Sequence, residues 1–246
     1  MNFWRVLMAG SALTMVGVVT VFALLQPKPV DEAGCRLDNI VSQHTIVLID
    51  QSDPFTQEDI RWVQKIARDE SRSLGQYGRL TVVGLKSETP YEPVEAFSRC
   101  SPGAKSNGWT NNPRMVEDTF REQMSDLLDA ALETLLSEKE QPTSPLIEAL
   151  VGISDRSDFS PAVAARKIVL VSDLIQNSPE LSHLKTGADF AAVERTRFAT
   201  DKPRLEGVAV SVRVVPRRNY AVPKEELVDF WNSMLEYSGA QEPEVF

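Results

Sequence analysis

The run IVLIDQSDPF, Ile46 to Phe55, is apolar until it reaches Asp50, Ser52 and Asp53. A strand that reads as buried therefore ends in two carboxylates and a hydroxyl. A second apolar run, KIVLVSD, ends the same way at Asp173. In an open α/β sheet, ligands bind in the crevice beyond the carboxyl ends of the strands. Asp50 and Asp173 should then point into one crevice, and two carboxylates converging there suggest a cation. A third contributor is TSPLIEAL, Thr143 to Leu150, where hydroxyls stand just before a helix with Leu146, Ile147 and Leu150 on its apolar face. Taken alone, Ser144 reads as the cap of that helix, because Ser and Thr are preferred at such positions.

The elements that must position these residues alternate between β-branched runs and amphipathic ones, the pattern of an α/β fold. Thr45–Asp50 is the first strand. Residues 56–74 form a helix that Thr56 can cap, with Ile60, Val63, Ile66 and Ala67 as its apolar stripe. RLTVVGLK, Arg79–Lys86, is the second strand, and Val94–Phe97 is a short third one near an edge, fenced by prolines. Residues 98–112 read as an irregular loop around Trp109. Pro113 opens a helix to about Lys139, with Met115, Phe120, Met124, Leu127, Leu128, Ala131, Leu132 and Leu135 on its buried side. Another helix follows Ser144. Lys167–Val171 and Gly207–Val215 are core strands, residues 188–200 a helix, and residues 224–237 the final helix. Helices between most strands make the sheet mostly parallel.

The amino terminus reads differently. Val6 to Leu25 runs for twenty residues without a charge, the length needed to span a bilayer core. The rival reading is a cleaved signal peptide; the run is longer than the usual apolar region of one, and no A-x-A site precedes Gln26-Pro27. Arg5 lies before the span, and Asp31 and Glu32 follow it, a bias that puts the amino terminus in the cytoplasm. The expected organisation is a cytoplasmic head (1–5), a single-pass inner-membrane anchor (6–25), a linker (26–40) and a periplasmic domain (41–246). Cys35 and Cys100 would then see oxidising conditions, where they either form a disulfide or remain two buried thiols.

Taken together, the strand ends and TSPLIEAL resemble the von Willebrand factor A family, whose metal-ion-dependent adhesion site (MIDAS) uses Asp-x-Ser-x-Ser after the first strand, a Thr from a later loop and an Asp after a further strand. Asp50-Gln51-Ser52 matches the first element, Ser144 to Leu150 is similar to the family's Thr-Pro-Leu-x-Glu-Ala-Leu segment, and Asp173 matches the last. The resemblance implies a Rossmann-like, doubly wound, mostly parallel sheet with one short antiparallel edge strand. It implies a metal site of Asp50, Ser52, Ser144 and Asp173, in which the carboxylates hold the cation directly or through water and the hydroxyls give neutral oxygens. Such an oxygen set suits Mg2+ or Mn2+. Pro54 stands where the family has its second Ser, and Ser144 where Thr is usual. Proline has no side-chain ligand, which leaves that place to water or to Asp53, with Thr143 a further donor. The implied activity is binding: a protein partner completes the metal shell with an acidic residue, and no chemistry follows.

Other function classes fit less well. A net charge of −9, without a long basic block or an Arg-aromatic alternation, gives nothing that draws the chain to phosphate backbones, so nucleic acid is not an expected partner. His44 and His183 lack zinc spacing. A Ser nucleophile has no G-x-S-x-G elbow to sit on. The competing class is a Mg2+-dependent phosphohydrolase or phosphoacceptor using Asp50, but such phosphatases want Asp-x-Asp where this chain has Asp50-Gln51-Ser52. A further alternative keeps the fold without a metal. Arg217 and Arg218 follow the last strand and read as a solvated loop, with a place on the crevice rim as the alternative. Asn177 and Ser178 read as a turn beyond Asp173.

Overall fold

The structure is a computed structural model describing residues 14–21, 28–106, 112–138, 140–217 and 221–245. Its elements run β1 (Gln43–Ile49), α1 (Gln57–Ser73), β2 (Arg79–Gly84), β3 (Val94–Cys100), α2 (Pro113–Phe120, Arg121–Ser125 and Asp126–Leu136 in succession), α3 (Leu146–Ser154), β4 (Ala165–Ser172), the single turn α4 (His183–Thr186), β5 (Val208–Val214), α5 (Lys224–Tyr237) and β6 (Gln241–Val245). The sheet has the order β3-β2-β1-β4-β5-β6. Only β3 is antiparallel among these strands.

β1 lies between β2 and β4, which explains why its sequence is apolar on both faces. Ile46 and Leu48 face α3 and α5, where they meet Leu146, Leu150, Phe230 and Trp231. Val47 and Ile49 face α1 and α2, where they meet Val63, Ala67, Phe120 and Leu132. Helices on both faces make the fold doubly wound. β1 and β4 run parallel in a register that pairs Ile49 with Val171, so the residues following each strand emerge side by side.

Local sequence accounts for most element ends. Thr56 and Asp59 form a reciprocal capping box at the start of α1. Asn112 accepts from the Arg114 N–H to open α2, with Pro113 in its first turn. α2 consists of Pro113–Phe120, a π-helical turn Arg121–Ser125, and Asp126–Leu136. Its buried stripe is Phe120, Met124, Leu128, Leu132 and Leu135. Met115 and Leu127, predicted to be buried, are exposed and lie outside that stripe.

Residues 188–200 do not form the predicted α-helix. They form two 3-10 segments, Phe190–Arg195 and Arg197–Ala199. Asp189 and Thr196 each turn a side-chain oxygen onto a following N–H, and the second cap starts a new segment where a helix would have continued. β6 went unpredicted because QEPEV lacks β-branched alternation, and its Pro243 is tolerated on the outermost strand.

Cys35 and Cys100 are joined by a disulfide, with Cα atoms 4.9 Å apart. The bridge ties the segment before β1 to the end of β3, which the Cys100 N–H bond to Ala33 O (2.9 Å) reinforces. Of the predicted membrane span, only residues 14–21 are described; they are helical and exposed. Among the described residues, no helix is long and apolar enough to cross a membrane. The head, the rest of the span, Trp109 and Arg218 lie outside the described residues.

Candidate functional site

β1 and β4 deliver Asp50 and Asp173 to the same edge of the sheet, and the Asp50 N–H bonds to Val171 O at 2.9 Å. Asp50 is 3% exposed. Its Oδ1 accepts the Ser52 N–H at 3.0 Å. Its Oδ2 accepts two hydroxyls, Ser144 at 2.8 Å and Ser172 at 2.7 Å. Burial pushes its carboxyl up, and the hydroxyls of Ser172 and Ser144 pull it back toward the ionised form.

Ser144 therefore does not cap α3. Pro145 holds that position without a capping side chain, while the Ser144 hydroxyl reaches a residue 94 positions earlier. The α3 amide that needs an acceptor, Ile147 N–H, finds it in Gln176 Oε1 at 3.0 Å. Gln176 Nε2 donates to the buried Glu148 carboxylate at 2.9 Å. Ser144 and Asn177 also exchange both backbone bonds, at 2.9 and 2.8 Å. The loop carrying Ser144 is thus clipped to the loop carrying Asp173.

Asp173 is also 3% exposed, and its Oδ1 accepts the Ile175 N–H at 3.0 Å. Burial, then the nearby Asp50 charge, raise its carboxyl to about 7, with Asp53 adding to the push. A crevice of about 490 Å3 opens here, lined by Ser52, Asp53, Thr143, Ser144, Asp173 and Asn177 among others. Asp50 lies behind these lining residues. By accepting the Ser144 proton, it leaves that hydroxyl's lone pairs free to serve another partner.

Arg217 also lines the crevice, and with its side chain 16% exposed it is not a solvated loop residue. Its Nε stands 3.5 Å from Asp53 and its Nη1 3.8 Å from Asp59. Nη1 also donates to Pro54 O at 3.4 Å, so this one side chain holds the β1–α1 loop. Asp53 itself is half exposed. A larger groove of about 990 Å3 lies between α1 and β5; it shares Arg217 with the crevice, but none of Asp50, Ser52, Asp53, Thr143, Ser144 or Asp173 lines it.

The two histidines sit in structural places. His44 bonds to Asp158 O at 3.0 Å and to Thr81 Oγ1 at 2.9 Å. His183 Nδ1 accepts the Gln176 N–H at 3.2 Å, and its ring meets Phe230 edge-on. Burial lowers both imidazoles to about 4. Among the described residues, no group of three or more His, Cys, Asp or Glu is arranged to hold a metal ion. The donors gathered in the crevice are instead hydroxyls and carboxylates, which fit a hard cation. Asp173 is raised first by burial and then by the Asp50 and Asp53 charges, and a bound cation would offset that negative charge.

Sequence reasoning missed Ser172 and Gln176. Ser172 is the last residue of β4 and reads only as a strand end; its place beside Asp50 depends on the β1–β4 register. The sequence matches no known family model, and no curated protein matches it. Among solved structures, the chain is similar to a von Willebrand factor type A protein from Catenulispora acidiphila, at 10% identity, covering 79% of this chain and 37% of that one with a TM-score of 0.46. It is also similar to the pilus adhesin SpaC from Lactobacillus rhamnosus GG in its open conformation, at 10% identity, covering 78% of this chain and 26% of that one with a TM-score of 0.43. The chain thus spans well under half the length of either.

Proposed function

We propose that this protein is a membrane-anchored interaction module that presents a von Willebrand factor A-like domain in the periplasm and captures a protein partner through a divalent cation. The observation that carries this reading is the convergence of Ser52, Ser144 and Asp173 on one crevice, with Asp50 behind them accepting the Ser144 and Ser172 hydroxyls. Ser52, Ser144 and Asp173 would hold Mg2+ or Mn2+. Asp53 offers the oxygen that Pro54 lacks, and Thr143 lies within the same lining. A shell built largely of neutral oxygens leaves the cation able to take a carboxylate from a partner.

Two features support the location. The apolar sequence 6–25 matches a bilayer-spanning length, and a disulfide between Cys35 and Cys100 suits an oxidising compartment. The domain is a binding module with no catalytic residue. Asp50 is poorly placed as a phosphoryl acceptor, since it is buried and both its oxygens already accept hydrogen bonds.

Capture from solubilised membranes, with and without chelator, tests the reading. Partner retention should depend on Mg2+ or Mn2+ and disappear in Asp50→Ala and Asp173→Ala. Retention that ignores chelator sinks the cation role, and a beryllium trifluoride adduct at Asp50 would instead favour the phosphoacceptor class.

A further inference from the structure

We infer that Trp231 is a positioning residue for the Asp173 carboxylate, acting from α5 through a strained turn at Leu174. The inference rests on the reading of the crevice as a cation site, but its geometry stands without a cation.

Leu174 follows Asp173 directly, is fully buried, and has φ +72°. A leucine in the left-handed region is strained, because its Cβ crowds the following carbonyl. Such a conformation persists only where its surroundings hold it. Here the Leu174 N–H donates to Ser172 Oγ at 2.9 Å, and Ser172 Oγ in turn donates to Asp50. The Leu174 carbonyl accepts the indole N–H of Trp231 at 2.8 Å. Its side chain packs in the core that contains Trp231, Phe230 and Leu181.

The Leu174 carbonyl and the Ile175 N–H belong to one planar peptide group. The carbonyl end of that plane is held by Trp231, and the N–H end donates to Asp173 Oδ1 at 3.0 Å. The indole and the carboxylate therefore grip opposite ends of a single rigid unit. If the plane rotates, both bonds are lost together and Asp173 loses the donor that aims it. α5, which does not line the Asp173 crevice, thereby sets the direction of one of its ligands.

The test removes the indole donor. Trp231→Phe keeps an aromatic ring in the core, and replacing Trp231 with benzothienylalanine keeps the whole bicyclic shape if the phenylalanine variant folds poorly. Loss of one bond of ordinary strength should weaken Mn2+ binding about fivefold in calorimetry and speed exchange of the Ile175 amide about tenfold in the metal-free protein. Met234→Ala, a core change elsewhere on α5, should move neither. Unchanged Mn2+ affinity and unchanged Ile175 exchange would overturn the inference, as would equal effects from Met234→Ala. If the wild-type protein takes up no Mn2+, the cation reading fails on its own, and Ile175 exchange alone decides the role of Trp231.

Discussion

Asp173→Asn should stabilise the metal-free protein, although it removes a residue assigned to the binding site. The Asp173 carboxyl ordinarily titrates at 3.8 and is carried to about 7 by burial and by the Asp50 and Asp53 charges. Ionising it in the folded state against that shift costs about 4 kcal/mol. The sign follows from linkage: a raised carboxyl confers its relative stability fully below 3.8 and loses it as pH rises through about 7. The variant should match the wild type near pH 4 and exceed it increasingly up to pH 8. For a domain of this size the full gap is on the order of 10 °C in melting temperature. Asparagine retains an oxygen for the Ile175 N–H and carries no charge, so the local turn survives. Thermal unfolding in chelator, from pH 4 to pH 8, measures the gap. Adding Mn2+ at about a thousandfold excess over Kd should then close it, because only the wild type gains binding energy, about 4.1 kcal/mol. An Asp173→Asn protein less stable than the wild type at pH 8, or a gap independent of pH, would refute the reasoning.

Other outcomes follow from the same structure. Reducing the Cys35–Cys100 bridge, which spans a separation of 65 residues, should cost about 4 kcal/mol in denaturant unfolding while leaving Mn2+ affinity unchanged; equal stability with and without reductant would contradict this. The buried His44 and His183, lowered to about 4, favour the folded state above 6.5 and lose that contribution as pH falls toward 4. NMR titration should show both imidazoles neutral at pH 5.5, and ordinary titration near 6.5 would show they are solvated. Gln176→Leu strands the Ile147 N–H and the Glu148 carboxylate, and should cost about 2–4 kcal/mol by chemical denaturation; a cost below 1 kcal/mol would mean that water replaces the side chain.

The strands that carry Asp50 and Asp173 were legible because central parallel strands must be apolar on both faces, and their acidic ends stood out against that background. Their convergence was legible too, since in-register parallel neighbours bring their final residues together. Ser144 shows where local reading fails. Helix-start statistics favour a cap, but the hydroxyl instead pairs with a carboxylate 94 residues away in sequence, which only the assembled sheet reveals. Arg217 failed for the opposite reason: an arginine beside another arginine after a strand reads as solvated, whereas the β1–α1 loop supplies Asp53 and Pro54 O, and the first turn of α1 supplies Asp59, as partners. Ser172 and Gln176 gave no signal, because a polar residue at a strand end or in a turn is commonplace until its partner is known. β6 and the 3-10 segments lacked the periodicity on which any such reading depends.

The central claim is that Ser52, Ser144 and Asp173 together hold a divalent cation. Calorimetric titration of Mn2+ into the chelator-stripped protein tests it most directly, using the wild type, Ser144→Ala and Asp173→Asn. Saturable binding at one site is expected in the wild type, weakened by Ser144→Ala and abolished by Asp173→Asn. Absence of saturable binding in the wild type, or identical binding by all three proteins, would contradict it.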